Sequence, residues 1–311
     1  MFKRFSELVK KRIPCFFYTD FKGERLHCFL MDELASHDIE YSFHALPTAA
    51  NLPHKPIHFP IDPQTYHAKF EEVQRHLREG NTYLLNLTQP TRIETPYTLK
   101  QIYDMAYAPY KLRVGNEFVC FSPEPFVTIE GNTIHAYPMK GTIDASLPDA
   151  IETILGDPKE IAEHTMIVDL LRNDLGIVAN NIKVKQFRYI TTIDTGRKRL
   201  IQVSSHIVGT LNEEWKEHSG DIIRKLLPAG SISGTPKKMT TELIEEIEGY
   251  ERGYFTGIFG YFDGANLYTA VAIRFIENCN GVLVYKSGGG ITADSECEKE
   301  YDEMVDKIYI P

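Results

Sequence analysis

EFVCFSPEPFVTIEGNTIHAYPM, residues 117–139, is the stretch that decides the fold class. It is rich in β-branched and aromatic residues and is broken by Ser122-Pro123 and by Gly131-Asn132. It therefore reads as strands with a hairpin turn at the Gly-Asn pair. A second stretch, NLYTAVAIRFIENCNGVLVYKSGGGI at 266–291, reads as another hairpin that turns near Asn280-Gly281. TYLLNLTQPTRI, residues 82–93, reads as a further strand. Helices are expected over 63–79, ending at Gly80, and over 157–174, 236–248 and 295–308. Strand pairs interrupted by helices predict an α+β fold with antiparallel sheets rather than a Rossmann sheet.

The chain has 311 residues, 42% of them hydrophobic and 25% charged, enough to bury a large core. PTAANLPHKPIHFPIDP, residues 47–63, carries five prolines and reads as a linker or extended lead-in. The roughly 45 residues before it are few for an independent domain. The expected organisation is a short N-terminal segment, 1–60, packing on one catalytic domain, 61–311. A net charge of −9 speaks against nucleic-acid binding. It leaves room for a small anionic ligand in a locally positive pocket. Five cysteines without CxxC spacing suit a reducing cytosol. No apolar run approaches a membrane span, so a cytoplasmic location is expected.

Two helices carry paired carboxylates. In DPKEIAEHTMIVDLLRNDLG, from 157, Asp157 is a ready N-cap, Pro158 suits the first helical position and Glu160 has capping-box spacing. The helix is apolar on most sides, so Glu163 needs a cation or a proton. In ADSECEKEYDEMVDKIYI, from 293, Ser295 and Glu298 repeat the capping-box spacing. Glu296, Glu300, Glu303 and Lys307 form one stripe. That stripe reads either as a solvated charged face or as half of an oxygen-ligand site. Two E-x-x-E pairs, Glu160/Glu163 and Glu300/Glu303, are the donor chemistry that Mg²⁺ takes.

KSGGGITADS places three glycines before the last helix, either as a tight turn or as a backbone cradle for an anion. Arg274 ends an apolar run and needs a carboxylate, from the protein or from a ligand. Lys140, in YPMKGT, is either a lysine snorkelling from a strand end or a nucleophile. A nucleophilic amine needs its pKa brought down by about 3 pH units, roughly 4 kcal/mol of bias against the charge. Apolar burial and a nearby metal cation both push that way.

Together these stretches resemble the chorismate-binding enzymes, a family that includes the large subunits of anthranilate synthase and aminodeoxychorismate synthase and the isochorismate and salicylate synthases. TYLLNLTQ, FSPEPFV, YPMKGT, EHTMIVDLLRNDLG, HIVGTL, PAGSISGTPKKM, TGIFGYFDG, AVAIRF and SGGGITADSECEKEYDEM fall in the family's order. The resemblance implies two packed antiparallel β-sheets flanked by helices, with the active site in the cleft between them. Within the family, alanine before Gly-Thr is usual in anthranilate synthases and lysine in the aminating aminodeoxychorismate synthases. That implies Lys140 as a covalent nucleophile, Glu124 as the acid/base and His206 near the departing hydroxyl. It implies Mg²⁺ on Glu163 and Glu303, with Glu160 and Glu300 helping through water. It implies Gly141, Thr142, Arg274, Gly289, Gly290 and Lys307 as groups that hold chorismate. Leu84 stands where water-adding relatives place a lysine. Ammonia is expected from a separate glutamine amidotransferase subunit. The alternatives are an anthranilate synthase or an isochorismate or salicylate synthase.

Overall fold

The computed structural model describes residues 2–43, 54–194 and 199–311. Of the proline-rich stretch, residues 47–53 lie outside the described residues. The chain begins with α1 (Phe2–Lys10), β1 (Cys15–Thr19), β2 (Leu26–Leu30), β3 (Ile39–Phe43), β4 (Ile57–Phe59) and α2 (Pro63–Arg78). It continues with β5 (Leu84–Glu94), α3 (Leu99–Met105), β6 (Tyr110–Val114), β7 (Phe118–Ser122), β8 (Pro125–Glu130), β9 (Thr133–Ala136) and β10 (Met139–Asp144). Then come α4 (Ala150–Gly156), α5 (Pro158–Gly176), β11 (Asn180–Asp194), β12 (Arg199–Thr210), α6 (Ser219–Leu226), β13 (Gly234–Thr235) and α7 (Lys237–Glu248). Last are β14 (Ile258–Phe262), β15 (Leu267–Val271), β16 (Phe275–Cys279), β17 (Val282–Ile291) and α8 (Cys297–Asp306).

The strands form two antiparallel sheets flanked by helices. One runs β10-β12-β9-β8-β15-β14-β1-β2, with β11 also on β12; the other runs β13-β5-β17-β16-β7-β6-β3, with β4 on β5. The hairpin at Gly131-Asn132 joins β8 to β9, and the one at Asn280-Gly281 joins β16 to β17. The strand β1 pairs with β2 on one side and β14 on the other, so residues 15–19 are part of the first sheet.

Each helix forms where its ends and its apolar spacing agree. In α2 the Asp62 carboxylate accepts from the Thr65 N–H at 2.9 Å, Pro63 takes the first position, and Tyr66, Phe70, Val73 and Leu77 bury one stripe. That stripe packs with α7 and α8 on Leu85 and Leu87 of the second sheet. Helices α1, α5 and α6 cover the outside of the first sheet through Phe5, Leu171 and Ile223. Between the sheets lies an aromatic layer that includes Phe16, Tyr18, Phe118, Phe259 and Phe275. Among the described residues no helix is long and apolar enough to cross a membrane.

Two capping expectations are corrected. Asp157 caps α5 by accepting from the N–H groups of Lys159 and Glu160, but the Glu160 side chain does not return to the cap. The N-cap of α8 is Glu296, with no side-chain cap bond. The Ser295 hydroxyl instead donates to Glu300 at 2.7 Å.

Candidate active site

A cavity of about 520 Å³ opens where β10 and α5 meet β5, β17 and α8. That volume is in the range of small-ligand pockets. Its lining brings together Lys140, Gly141, Thr142, Glu124, Glu160, Glu163, Arg274, Gly289, Gly290, Glu303 and Lys307.

Lys140 is aimed by a local irregularity. The pairing of β10 with β12 shifts register between Met139 and Thr142, a bulge that re-aims a side chain. Gly141 in that bulge has φ +92°, a value that L side chains rarely adopt, and a Cβ there would lie 2.8 Å from Glu160 Oε2. Lys140 Nζ reaches 2.9 Å from Glu163 Oε2, and Lys159 stands 3.8 Å from the other oxygen of that carboxylate. Burial disfavours the charge on Lys140, but Glu163, Glu303 and Glu160 outweigh it, so its pKa lies above the ordinary lysine value. With Glu163 as its partner and no cation beside that carboxylate, the ion pair favours the ammonium.

The carboxylates are spread around the same end. Glu160 Oε2 is buried without a hydrogen-bond partner, and burial raises its pKa. Burial also raises Glu300, which does not line the cavity and is held by Ser295. Glu303 pairs with Lys307 at 2.5 Å; burial opposes its charge, but Lys307, Lys140 and Arg274 hold its pKa below the usual carboxylate value. Burial holds Lys307 below the usual lysine value, and its Nζ also donates to Gly288 O at 2.9 Å. Among the described residues no three His, Cys, Asp or Glu side chains converge on one point to hold an ion by themselves.

Glu124 sits on the turn between β7 and β8. Burial pushes its pKa up to about 7, against the opposing effects of Ser231, whose hydroxyl donates to it at 3.0 Å, and of Arg274. Ser231 belongs to a short turn, Gly230–Ile232, that is clamped by α5. Asp174 of α5 pairs with Lys237 at 2.9 Å, and a Cβ at Gly230 would lie 2.6 Å from its Oδ2, so only glycine lets the two segments approach. Arg274 has φ 50° between β15 and β16 and lies 5.4 Å over the Tyr309 ring. Among the described residues it pairs with no carboxylate, which leaves its guanidinium fork for a ligand.

The structure does not bring His206 into the cavity. Its ring stacks on Tyr137 and its Nε2 lies 3.0 Å from His135 Nδ1, on strands β9 and β12 away from the lining residues. Several contributors escape the sequence reading. Ser231 lay within the Gly-Ser-rich PAGSISG stretch, whose hydroxyls were an available signal. Lys286, buried on β17 and paired with Glu277 at 2.6 Å, is hidden inside an apolar run. His164 is buried beside Glu163, and burial holds its pKa below the usual histidine value.

The cavity thus offers four cations (Lys140, Arg274, Lys286 and Lys307) among carboxylates of unequal proton affinity. That arrangement suits a small ligand carrying more than one negative charge, with a carboxyl of raised proton affinity, Glu124, at one end and Lys140 at the other. Known proteins resemble the chain as follows. The chain is 46% identical over 312 residues to a Pasteurella multocida protein named "Uncharacterized PabA-like protein", covering 98% of this chain and 96% of that one. It is 33% identical over 265 residues to aminodeoxychorismate synthase component 1 of Escherichia coli, covering 79% of this chain but 56% of that protein. The crystal structure of anthranilate synthase component I from Streptococcus pneumoniae matches with a TM-score of 0.68 at 25% identity, over 85% of this chain and 62% of that one. The family described as chorismate binding enzyme matches residues 22–311, and the chain belongs to that family.

Proposed function

We propose that this chain is an aminating chorismate enzyme of the aminodeoxychorismate synthase component I type. It would convert chorismate and ammonia to 4-amino-4-deoxychorismate, with the ammonia released from glutamine by a separate amidotransferase. The observation that carries the reading is Lys140, set by a bulge at the wall of the cavity among three cavity carboxylates. Arg274 and Lys307 are the cations for the substrate's two carboxylates, with backbone N–H groups at Gly289 and Gly290 beside them.

The carboxylate set fits a divalent ion: Glu160 has an unpartnered buried oxygen, and Mg²⁺ is commonly held by one or two carboxylates while waters and ligand oxygens complete its shell. Glu163 and Glu303 would hold it, with Glu160 and Glu300 acting through water. When bound, Mg²⁺ supplies positive charge against the ring carboxylate. A divalent ion held there would compete with Lys140 for the Glu163 carboxylate and would disfavour the charge on the amine. The amine adds to ring carbon C2 as the C4–oxygen bond breaks, and Glu124 gives its proton to the departing hydroxyl. Ammonia then bonds to C4 and the C2–nitrogen bond to Lys140 breaks. Splitting the substitution through a covalent amine makes two easier steps from one hard one.

As the proton donor, Glu124 sets an alkaline limb. Its pKa of about 7 leaves it protonated below neutrality, so kcat/KM should fall as pH rises through about 7. Glu124→Gln should remove that limb and lower kcat by about 10²–10⁴-fold, the range for a positioned proton donor. A pH profile of the variant identical to wild type would remove the role.

The activity itself is tested with protein, chorismate, Mg²⁺ and an ammonium salt, followed by mass analysis. The expected product is the aminated, pyruvyl-bearing ring. Free pyruvate with anthranilate, or isochorismate or salicylate formed without ammonia, would replace this reading with another branch of the family.

A further inference from the structure

The Lys140–Gly141 bulge is held from behind by a hydrogen-bonded relay that runs through α5, β12, β11 and α4. His164 of α5 is fully buried, and so is Ser205 of β12. His164 Nε2 lies 2.7 Å from Ser205 Oγ, and Nδ1 lies 3.3 Å from the carbonyl oxygen of Lys140. Ser205 Oγ also accepts from the backbone N–H of Arg188 at 2.9 Å. The far end of Arg188 donates to the carbonyls of Leu155 and Ile154 at 2.8 and 2.9 Å, tying in α4. Ile154 in turn packs on Gly141, its Cδ1 3.4 Å from where a Cβ would stand.

The partners assign the tautomer. A proton on Nε2 alone would leave a bare Nδ1 facing the Lys140 carbonyl, two acceptors opposed in a dry site. With the proton on Nδ1 the relay is matched throughout: Arg188 N–H donates to Ser205 Oγ, Ser205 O–H donates to Nε2, and Nδ1–H donates to the Lys140 carbonyl.

We propose that His164, oriented by Ser205, is a positioning residue for Lys140. It fixes the backbone from which the amine leaves the strand and so sets where Nζ meets the ring carbon. The role rests on the amination reading above. It accounts for a histidine that touches neither the cavity nor the surface, and for the hydroxyl placed opposite it.

The test compares His164→Leu, His164→Asn and Ser205→Ala with wild type and Lys140→Ala in the ammonia-dependent assay, with ¹⁵N-histidine spectra of wild type and Ser205→Ala. His164→Leu should lower kcat by about 100-fold with KM for chorismate nearly unchanged, the scale on which a misplacement of about 1 Å acts. His164→Asn, whose amide N–H replaces Nδ1–H, should recover most of that loss. The wild-type spectrum should show the Nδ1–H tautomer, and Ser205→Ala should shift it. A kcat for His164→Leu within about twofold of an active wild type, a His164→Asn no better than His164→Leu, or an Nε2–H tautomer in wild type would overturn the role. A wild type that aminates nothing removes the amination reading instead, and this role with it.

Discussion

The Lys140→Ala protein is expected to fold as wild type does and to lose chorismate amination by about 10³-fold or more, the scale of deleting a nucleophile from a concerted site. Stability should change little. The Lys140 side chain is 39% exposed, and ion pairs of that exposure contribute about 0–1 kcal/mol. Glu163 also keeps Lys159 within 3.8 Å as a second cation. The two effects separate cleanly: thermal unfolding reports the fold, and steady-state product formation reports the chemistry. Lys140→Arg sharpens the test. It keeps a cation for Glu163, but a guanidinium has too high a pKa to become a neutral nucleophile, so it should be as inactive as alanine. Retention of wild-type turnover by either variant would remove the covalent route.

The second large effect is on stability. Glu248 and Arg252 are 0% and 2% exposed and meet at 2.6 Å between Arg252 Nη2 and Glu248 Oε1. Glu248 also accepts from Thr88 N–H at 2.7 Å, and Arg252 donates to the carbonyls of Asn86 and Ile232. The pair therefore stitches α7 to β5 and to the turn that carries Ser231. Glu248→Leu should cost about 3–5 kcal/mol, because it leaves the guanidinium charged and unpaired in a dry interior. Adding Arg252→Met should return part of that loss, since no buried charge then remains. The recovery is capped by the carbonyls of Asn86 and Ile232, which lose their donor. Denaturant unfolding of the two variants measures both numbers. A loss below about 1 kcal/mol for Glu248→Leu would mean that water reaches the pair.

The fold class was legible because its hairpins are short-range. Gly131-Asn132 and Asn280-Gly281 turn the chain between runs of β-forming residues, and the structure pairs those runs as the pattern requires. The long hairpin β11–β12 was not legible. Its apolar alternation, Ile182 and Val184, changes phase before Phe187 and Tyr189, where its pairing with β12 shifts register, so no single period of two runs through the strand. Capping spacing misled at Ser295 because the same hydroxyl had a better partner in Glu300. The cavity residues were reached through resemblance to a family, since a lysine or a glutamate on its own spells nothing about its neighbours. What no pattern along the chain could supply was the charge on Lys140. That depends on Glu163, Glu303 and Glu160, brought to it by two helices far apart in sequence.

Helix α5 has a consequence of its own. Its Glu163 meets the amine, while its Asp174, eleven residues on, clamps the turn whose Ser231 binds Glu124. At about 1.5 Å per residue these two attachment points are roughly 16 Å apart along a stiff rod. The distance between the Lys140 amine and the Glu124 carboxyl is thereby gauged by a ruler instead of by loops. A single inserted or deleted residue within that rod would turn one attachment point about 100° away from its partner, so the two ends are tied in phase as well as in distance.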